Sequence, residues 1–238
     1  MSRHLLLVLE GPLLAFGGEA VDAHGVVDDF PSASMLTGLL ANALGWRRGQ
    51  RDDHARLQTR LRFAARIDAE GQRLTDFQTV KLEKNDTGWT TRGVPEGRDG
   101  GAATYNSPHI RRRDYDADKR VTVALRLDPA DEAPTLDDLE AALHQPARPL
   151  FLGRKPCLPS RPLFEAIVEA PSLLDALAAS APAQSCRVLL PVTETALPQD
   201  ELRQVADRRD WHSGVHGGQR TVRVRHVAAK TGLGSAPS

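Results

Sequence analysis

The sequence predicts an α+β fold, and three observations carry that expectation. Two stretches alternate with the period of a half-buried strand: 120–127, where Val121, Val123, Leu125 and Leu127 share a face, and 61–67, where Leu61, Phe63, Ala65 and Ile67 do. Leu5 to Leu9 form an unbroken apolar run closed by Glu10-Gly11-Pro12, the pattern of a central strand covered on both sides. Two further segments repeat their apolar residues at helical spacing, one between the first two of these strands in chain order and one after the last.

The elements follow in order. After the first strand a turn-rich loop continues to about Pro31 and holds Phe16, Asp22, His24, Asp28, Asp29 and Phe30. In 30–45, Leu36, Leu39, Leu40, Ala43 and Leu44 mark one helical face, with Ser32 or Ser34 as N-cap and Gly45 as terminator. Helix N-termini present free amides, so Ser32 and Ser34 are also candidate phosphate contacts, Ser34 foremost. Beyond the strand at 61–67, residues 75–118 are long, polar and glycine-rich, which suggests a protruding arm, with a small hairpin as one form of it. Its last part, 105–115, reads as a cationic loop feeding directly into the strand at 120–127.

Next, 134–143 is a short helix capped by Thr135, with acids in its first turn and Leu136, Leu139 and Leu143 on its buried stripe. Gly153-Arg154-Lys155 is a glycine turn with two cations, and 163–168 is a fourth strand. Strand, helix, strand, arm, strand, helix, strand is the βαββαβ plan of a ferredoxin-like domain, here over residues 1–170 with the arm at 75–118. Residues 171–238 read as a small β-rich C-terminal unit. It holds a helix at 172–180, a strand at 188–192, a glycine-histidine loop at 211–218 and a strand at 220–227. Arg223 and Arg225 share a face of that last strand, as an anion platform or as charges guarding an edge. A frayed tail is expected from Thr231.

The charges cancel, 31 basic against 31 acidic, so nothing marks the whole chain as a polyanion binder. They are segregated, however. Residues 128–140 hold six acids and no Lys or Arg, whereas 203–230 hold seven basic residues and two acids. The default for the acidic stretch is a solvated face, with a partner surface as the alternative. Arginine outnumbers lysine 26 to 5, which suits bidentate phosphate contacts. Cys157 and Cys186 form no CxxC and no metal spacing, which implies a reduced cytoplasmic protein without structural zinc. The N-terminal apolar run is too short for a signal peptide's core or a membrane span. Asp28, Asp29 and Asp76 with the histidines give no recognised metal pattern, and no GxGxxG, P-loop or HExxH supports a small-molecule enzyme.

Four segments together carry a resemblance: 5–17 (LLLVLEGPLLAFG), 30–45 (FPSASMLTGLLANALG), 112–127 (RRDYDADKRVTVALRL) and 149–164 (PLFLGRKPCLPSRPLF). In this order they resemble the Cas-five family of CRISPR proteins in its type I-E form; the C-terminal part matches more loosely. The resemblance implies a ferredoxin-like, RRM/RAMP-type fold whose arm is a thumb. It implies a non-catalytic RNA-binding subunit of the Cascade surveillance complex that caps the repeat-derived 5′ handle of the CRISPR guide RNA in antiviral defence. The partners it implies are the backbone subunit CasC and the large subunit CasA, with target DNA met only through the complex, no cofactor, no metal and no membrane. Guide cutting would fall to a separate subunit, CasE.

On that basis the expected RNA contacts are Arg111, Arg112 and Arg113 in the arm and Arg154 and Lys155 after the glycine turn. Lys81, Lys84 and Arg92 follow, with Ser34 and His109. Trp89 and Tyr105 either stack on bases or anchor the arm, while Tyr115, so near the core strand, is expected to pack. A type I-C relative implies the alternative of a metal-independent endoribonuclease using a tyrosine, a lysine and a histidine. Tyr105, His109 and His24 with Lys81 or Lys155 are the candidates here, although Pro108 precedes His109 where a Lys-His pair is sought.

Overall fold

The computed structural model describes residues 1–18, 23–80, 88–89, 95–96, 109–180 and 185–228. Along the chain these form β1 (Ser2–Glu10), β2 (Leu13–Leu14), β3 (His24–Gly25), α1 (Ala33–Ala43), α2 (Arg51–Arg60), β4 (Leu61–Ala69), β5 (Gln72–Val80), β6 (Gly88–Trp89), β7 (Pro95–Glu96), β8 (His109–Ala117) and β9 (Arg120–Leu127). There follow α3 (Leu136–His144), β10 (Phe164–Ala170), α4 (Leu173–Ala178), β11 (Cys186–Pro191), β12 (Glu201–Val205) and β13 (Arg220–Val227).

One seven-stranded sheet runs β10-β1-β9-β4-β11-β13-β12. Its first four members are the fourth, first, third and second strands of the βαββαβ plan, all antiparallel to their neighbours. The three C-terminal strands hydrogen-bond onto the exposed edge of β4 through β11, so the sheet continues into the C-terminal segment.

Apolar period decides the layers. Leu5, Leu7 and Leu9 of β1 and Val121, Val123 and Leu125 of β9 project to one face, where they meet Leu36 and Leu40 of α1 and Leu139 and Leu143 of α3. Leu6, Ala64 and Ala124 project to the other, beneath Leu173 and Leu177 of α4. The unbroken run in β1 is thus covered on both sides, as its composition requires.

Local chemistry sets the helix ends. Ser32 caps α1 by accepting from the Met35 amide at 3.0 Å. Thr135 and Asp138 form a reciprocal capping box at α3, with Asp138 Oδ2 accepting from the Thr135 amide at 2.7 Å. Helix α2 has no sequence-level counterpart. Its buried face is His54, Leu57 and Arg60, so only one of three inward residues is apolar and the periodic signal vanishes.

The basic segment before β9 is a strand rather than a loop. β8 pairs with β5 over nine residues, from Gln72 opposite Ala117 to Val80 opposite His109, and also takes β2 and β3 on its other edge. Charged residues on both faces of β8 hide its period of two, because neither face of this ribbon is fully buried.

Arg223 and Arg225 do not form a free platform. Arg225 is buried and makes a bidentate pair with Asp200 at 2.7 and 2.8 Å. The hydrogen bonds from Arg225 hold the Asp200 carboxyl down at about 2. A depressed carboxylate contributes stability above its unfolded value near 3.8, and that contribution fades as pH falls toward about 2. Asp200→Asn should therefore destabilise the fold by about 2 kcal/mol at neutral pH and flatten the acid limb of the stability curve. Denaturant titrations at pH 7 and pH 3 check both points.

Candidate nucleic-acid interface

Strand geometry divides the arginine triplet. Successive side chains alternate, so Arg111 and Arg113 share a face of the ribbon and Arg112 lies on the opposite one, across from Phe77. The three do not make one patch. Arg113 donates from Nε to Gln78 Oε1 at 3.3 Å, and Arg111 is exposed. Among the described residues no carboxylate lies within ion-pair distance of any of the three.

The Arg111/Arg113 face turns toward Arg154. That side chain crosses the Tyr115 ring at 5.1 Å and donates to the carbonyls of Asp114 at 2.7 Å and Gly25 at 2.9 Å. Arg154 thus ties the β3 loop to the base of the ribbon, a structural duty that the sequence did not suggest. A Cβ on Gly25 would stand 3.0 Å from Arg154 Nη2 and 3.7 Å from Arg113 Nη1, so the missing side chain lets two guanidinium groups share one corner. Lys155 is exposed and has no ion-pair partner among the described residues. Tyr115 is buried, as expected of a packing residue.

At the ribbon base, Asp114 accepts from Thr75 Oγ1 at 2.7 Å and lies 3.0 Å from His24 Nε2. The His24 bond, more than any other influence, keeps the Asp114 carboxyl below its usual range despite burial. Asp116 receives Arg73 and the buried Lys119 at 2.9 Å each, which anchors the ribbon to the body.

Beside Arg154 lies a groove of about 360 Å³ between α1, the Gly153 turn and the 208–218 loop. Ser34 lines it but does not offer helix amides to an anion. The Ala33 amide donates to Asp207 Oδ2 at 3.1 Å and the Ser34 amide to the Asp207 carbonyl at 2.9 Å, while Arg220 clamps the same carboxylate at 2.7 Å. An internal carboxylate already fills the helix N-terminus, and the Ser34 hydroxyl is within 3.1 Å of Ser32 Oγ. The phosphate role expected for Ser34 at these amides is therefore corrected.

The third wall was not anticipated. Gln58 of α2 holds the loop by two bonds to the Arg209 backbone, at 2.9 and 3.1 Å, and His54 stacks on Trp211 with ring centroids 4.6 Å apart. Arg209 lies over the Trp211 ring at 5.3 Å, and His216 completes the wall. Burial, then the Arg209 charge, lowers the His216 pKa. The glycine-histidine pattern was visible in the sequence, but the Gln58 contact spans 151 residues and leaves no local trace.

Lys81, Lys84, Arg92 and Tyr105 lie outside the described residues, and Trp89 and His109 are placed only by their backbones, in β6 and at the start of β8. Cys157 and Cys186 are free and buried. No helix among the described residues is long and apolar enough to cross a membrane.

A family model described as CRISPR-associated protein (Cas_Cas5) matches residues 4–223. The CRISPR system Cascade subunit CasD of Escherichia coli (strain K12) is 32% identical over 167 residues, which cover 69% of this chain and 70% of that protein. A chain in a structure titled CRISPR RNA-guided surveillance complex is 26% identical and superposes with a TM-score of 0.66, covering 95% of this chain and 90% of that one. A second solved chain, titled Crystal structure of Cas protein, gives a TM-score of 0.59 at 25% identity, with 94% of each chain covered.

Proposed function

This chain belongs to the Cas5 family of CRISPR-associated proteins, and from that premise we propose that it binds the 5′ handle of the guide RNA as a non-catalytic Cascade subunit, joining the CasC backbone to the large subunit CasA. The observation that carries this is a cationic cluster: Arg111 and Arg113, free of carboxylates among the described residues, face Arg154 and the groove at the foot of the same ribbon. Several arginines of the body are instead engaged in internal pairs, such as Arg187 with Asp29 and Glu70, or Arg220 with Asp207. Guanidinium groups without carboxylate partners on one face match the backbone of a single strand, where each phosphate neutralised adds about 0.7 to the salt slope.

The test is a binding titration of the full chain with its cognate handle RNA across a salt series. Arg111→Ala with Arg113→Ala should weaken binding roughly tenfold and lower the slope by about 0.7 for each phosphate no longer neutralised. Arg112→Ala, on the far face, should cost less. Unchanged affinity and slope in the double variant would rule out this surface.

One observation favours the endoribonuclease alternative: His24, half-exposed, is oriented by Asp114 at 3.0 Å, as a general base is oriented by a carboxylate. The same titration, run without metal and resolved on a gel, separates the readings. Intact RNA supports the capping subunit. Specific cutting at the handle boundary that disappears in His24→Ala replaces it with a nuclease.

A further inference from the structure

The ribbon and the groove are different kinds of surface. The ribbon presents charge along an open strand, whereas the groove is walled on three sides and has an apolar interior. We propose that the 208–218 loop closes a subsite for one nucleotide of the bound RNA, its base lying against Trp211, Met35 and Leu39 and its phosphate on Arg209. This rests on the RNA-binding function above and adds the place where a single base leaves the strand.

Size points to one nucleotide. The groove's 360 Å³ sits at the low end of the range for small-molecule pockets, about 300–1,000 Å³. Composition points to a base. Met35, Leu39, Phe151 and Trp211 supply apolar walls, and Ser34 and Asn42 supply a polar rim, the combination by which proteins hold a splayed-out base.

The loop wall is rigid rather than draped. Within it the Asp210 amide donates to the Val215 carbonyl at 2.9 Å and the Gly217 amide to the Arg208 carbonyl at 3.1 Å. Arg209 and His216 also form an antiparallel bridge. Gly38 of α1 lies beside the indole, whose Cη2 is 3.8 Å from where a Cβ would stand, an ordinary contact distance. Polar capacity on this wall is unused by the chain itself. Arg209 Nε and Trp211 Nε1 are buried without an acceptor, and no carboxylate among the described residues pairs with Arg209. Buried donors left open in this way call for an acceptor from outside.

The experiment uses the full chain and a set of handle RNAs, intact or abasic at one position in turn, titrated by fluorescence anisotropy. One abasic position is expected to bind about tenfold more weakly, within the range that base–aromatic stacking contributes. In Trp211→Leu that position-specific penalty should vanish, while Arg209→Gln should weaken the intact RNA about fivefold, as removal of a charged phosphate contact does. Melting curves of both variants identify any loss due to unfolding. The subsite is refuted if every abasic RNA binds within about twofold of the intact one, well short of a stacking contribution, or if Trp211→Leu keeps the penalty. Wild-type protein that shows no affinity for any handle RNA refutes the RNA-binding function itself. Sensitivity to Arg111 and Arg113 without a position-specific penalty preserves that function and removes the subsite.

Discussion

Replacing Arg60 with methionine is expected to destabilise the protein by about 3–5 kcal/mol, the cost of leaving several buried carbonyls without their donor at about 1–3 kcal/mol each. The side chain is wholly buried at the end of α2. Its guanidinium donates to the carbonyls of Pro129 at 2.8 Å, Ala133 at 3.1 Å and Pro134 at 3.2 Å, and also to that of Glu132. Methionine matches much of the volume but leaves those carbonyls without their donor in a place water does not reach, which is the costly half of any hydrogen-bond exchange. For a chain of this length the melting temperature should fall by roughly 2–4 °C per kcal/mol. Arg60→Lys should recover only part of the loss, because one ammonium does not span four diverging acceptors. Glu132→Ala should cost little, since that carboxylate approaches Arg60 no closer than 3.9 Å. Denaturant unfolding of the three variants orders them, and a change below about 1 kcal/mol in Arg60→Met, the size of one ordinary hydrogen bond, would show that the loop rearranges around the loss.

Arg3 and Arg56 explain what the charge pattern left open. The acidic stretch from Asp128 to Glu140 is neither a bare solvated face nor a surface with all its charges free. Arg3 makes a bidentate pair with Asp137 at 2.6 and 3.2 Å, and Arg56 pairs with Glu132. Those partners lie 134 and 76 residues apart in sequence, so charge segregation along the chain is undone in space. Legibility follows this division between local and distant causes. The four strands of the ferredoxin-like sheet and helices α1 and α3 were legible because burial on one or both faces imposes a period of two, an unbroken run or a helical stripe. Helix α2 and strand β8 were not, because α2 turns an arginine and a histidine inward and β8 carries charges on both faces. Within the candidate site, the Gly153 turn and the arm's arginines could be read from composition. The docking of Asp207 at the start of α1, and of the Arg209/Trp211 loop against α2, could not, since each is placed by a partner more than a hundred residues distant.

Gly153→Ala is expected to be the most damaging single methyl group that can be added to the site. Gly153 has a φ of +92°, in the left-handed region that costs other residues about 1–2 kcal/mol. The added Cβ would stand 1.8 Å from the Ala15 carbonyl oxygen and 2.7 Å from its carbon. That obstacle is backbone, and it is fixed: the Ala15 amide donates to the Leu152 carbonyl at 3.1 Å, and Ala15 itself is buried in the core. Relief requires the turn to move as a unit, and overpacking of this kind adds about 1–3 kcal/mol. The total, roughly 2–5 kcal/mol, corresponds to a fall in melting temperature of about 10 °C for a chain of this size. Function should suffer beyond stability, because the same turn aims Arg154 at Gly25 and Asp114 and leaves Lys155 exposed beside the groove. Handle-RNA affinity measured well below the variant's melting temperature is therefore expected to drop along with its salt slope. Gly49→Ala, where a Cβ meets nothing within 4 Å, is the matched control and should leave both quantities unchanged. A Gly153→Ala protein that melts within about 2 °C of wild type, a shift worth no more than about 1 kcal/mol, would show that the turn tolerates displacement and that close approach to Ala15 is not what holds the groove's wall in place.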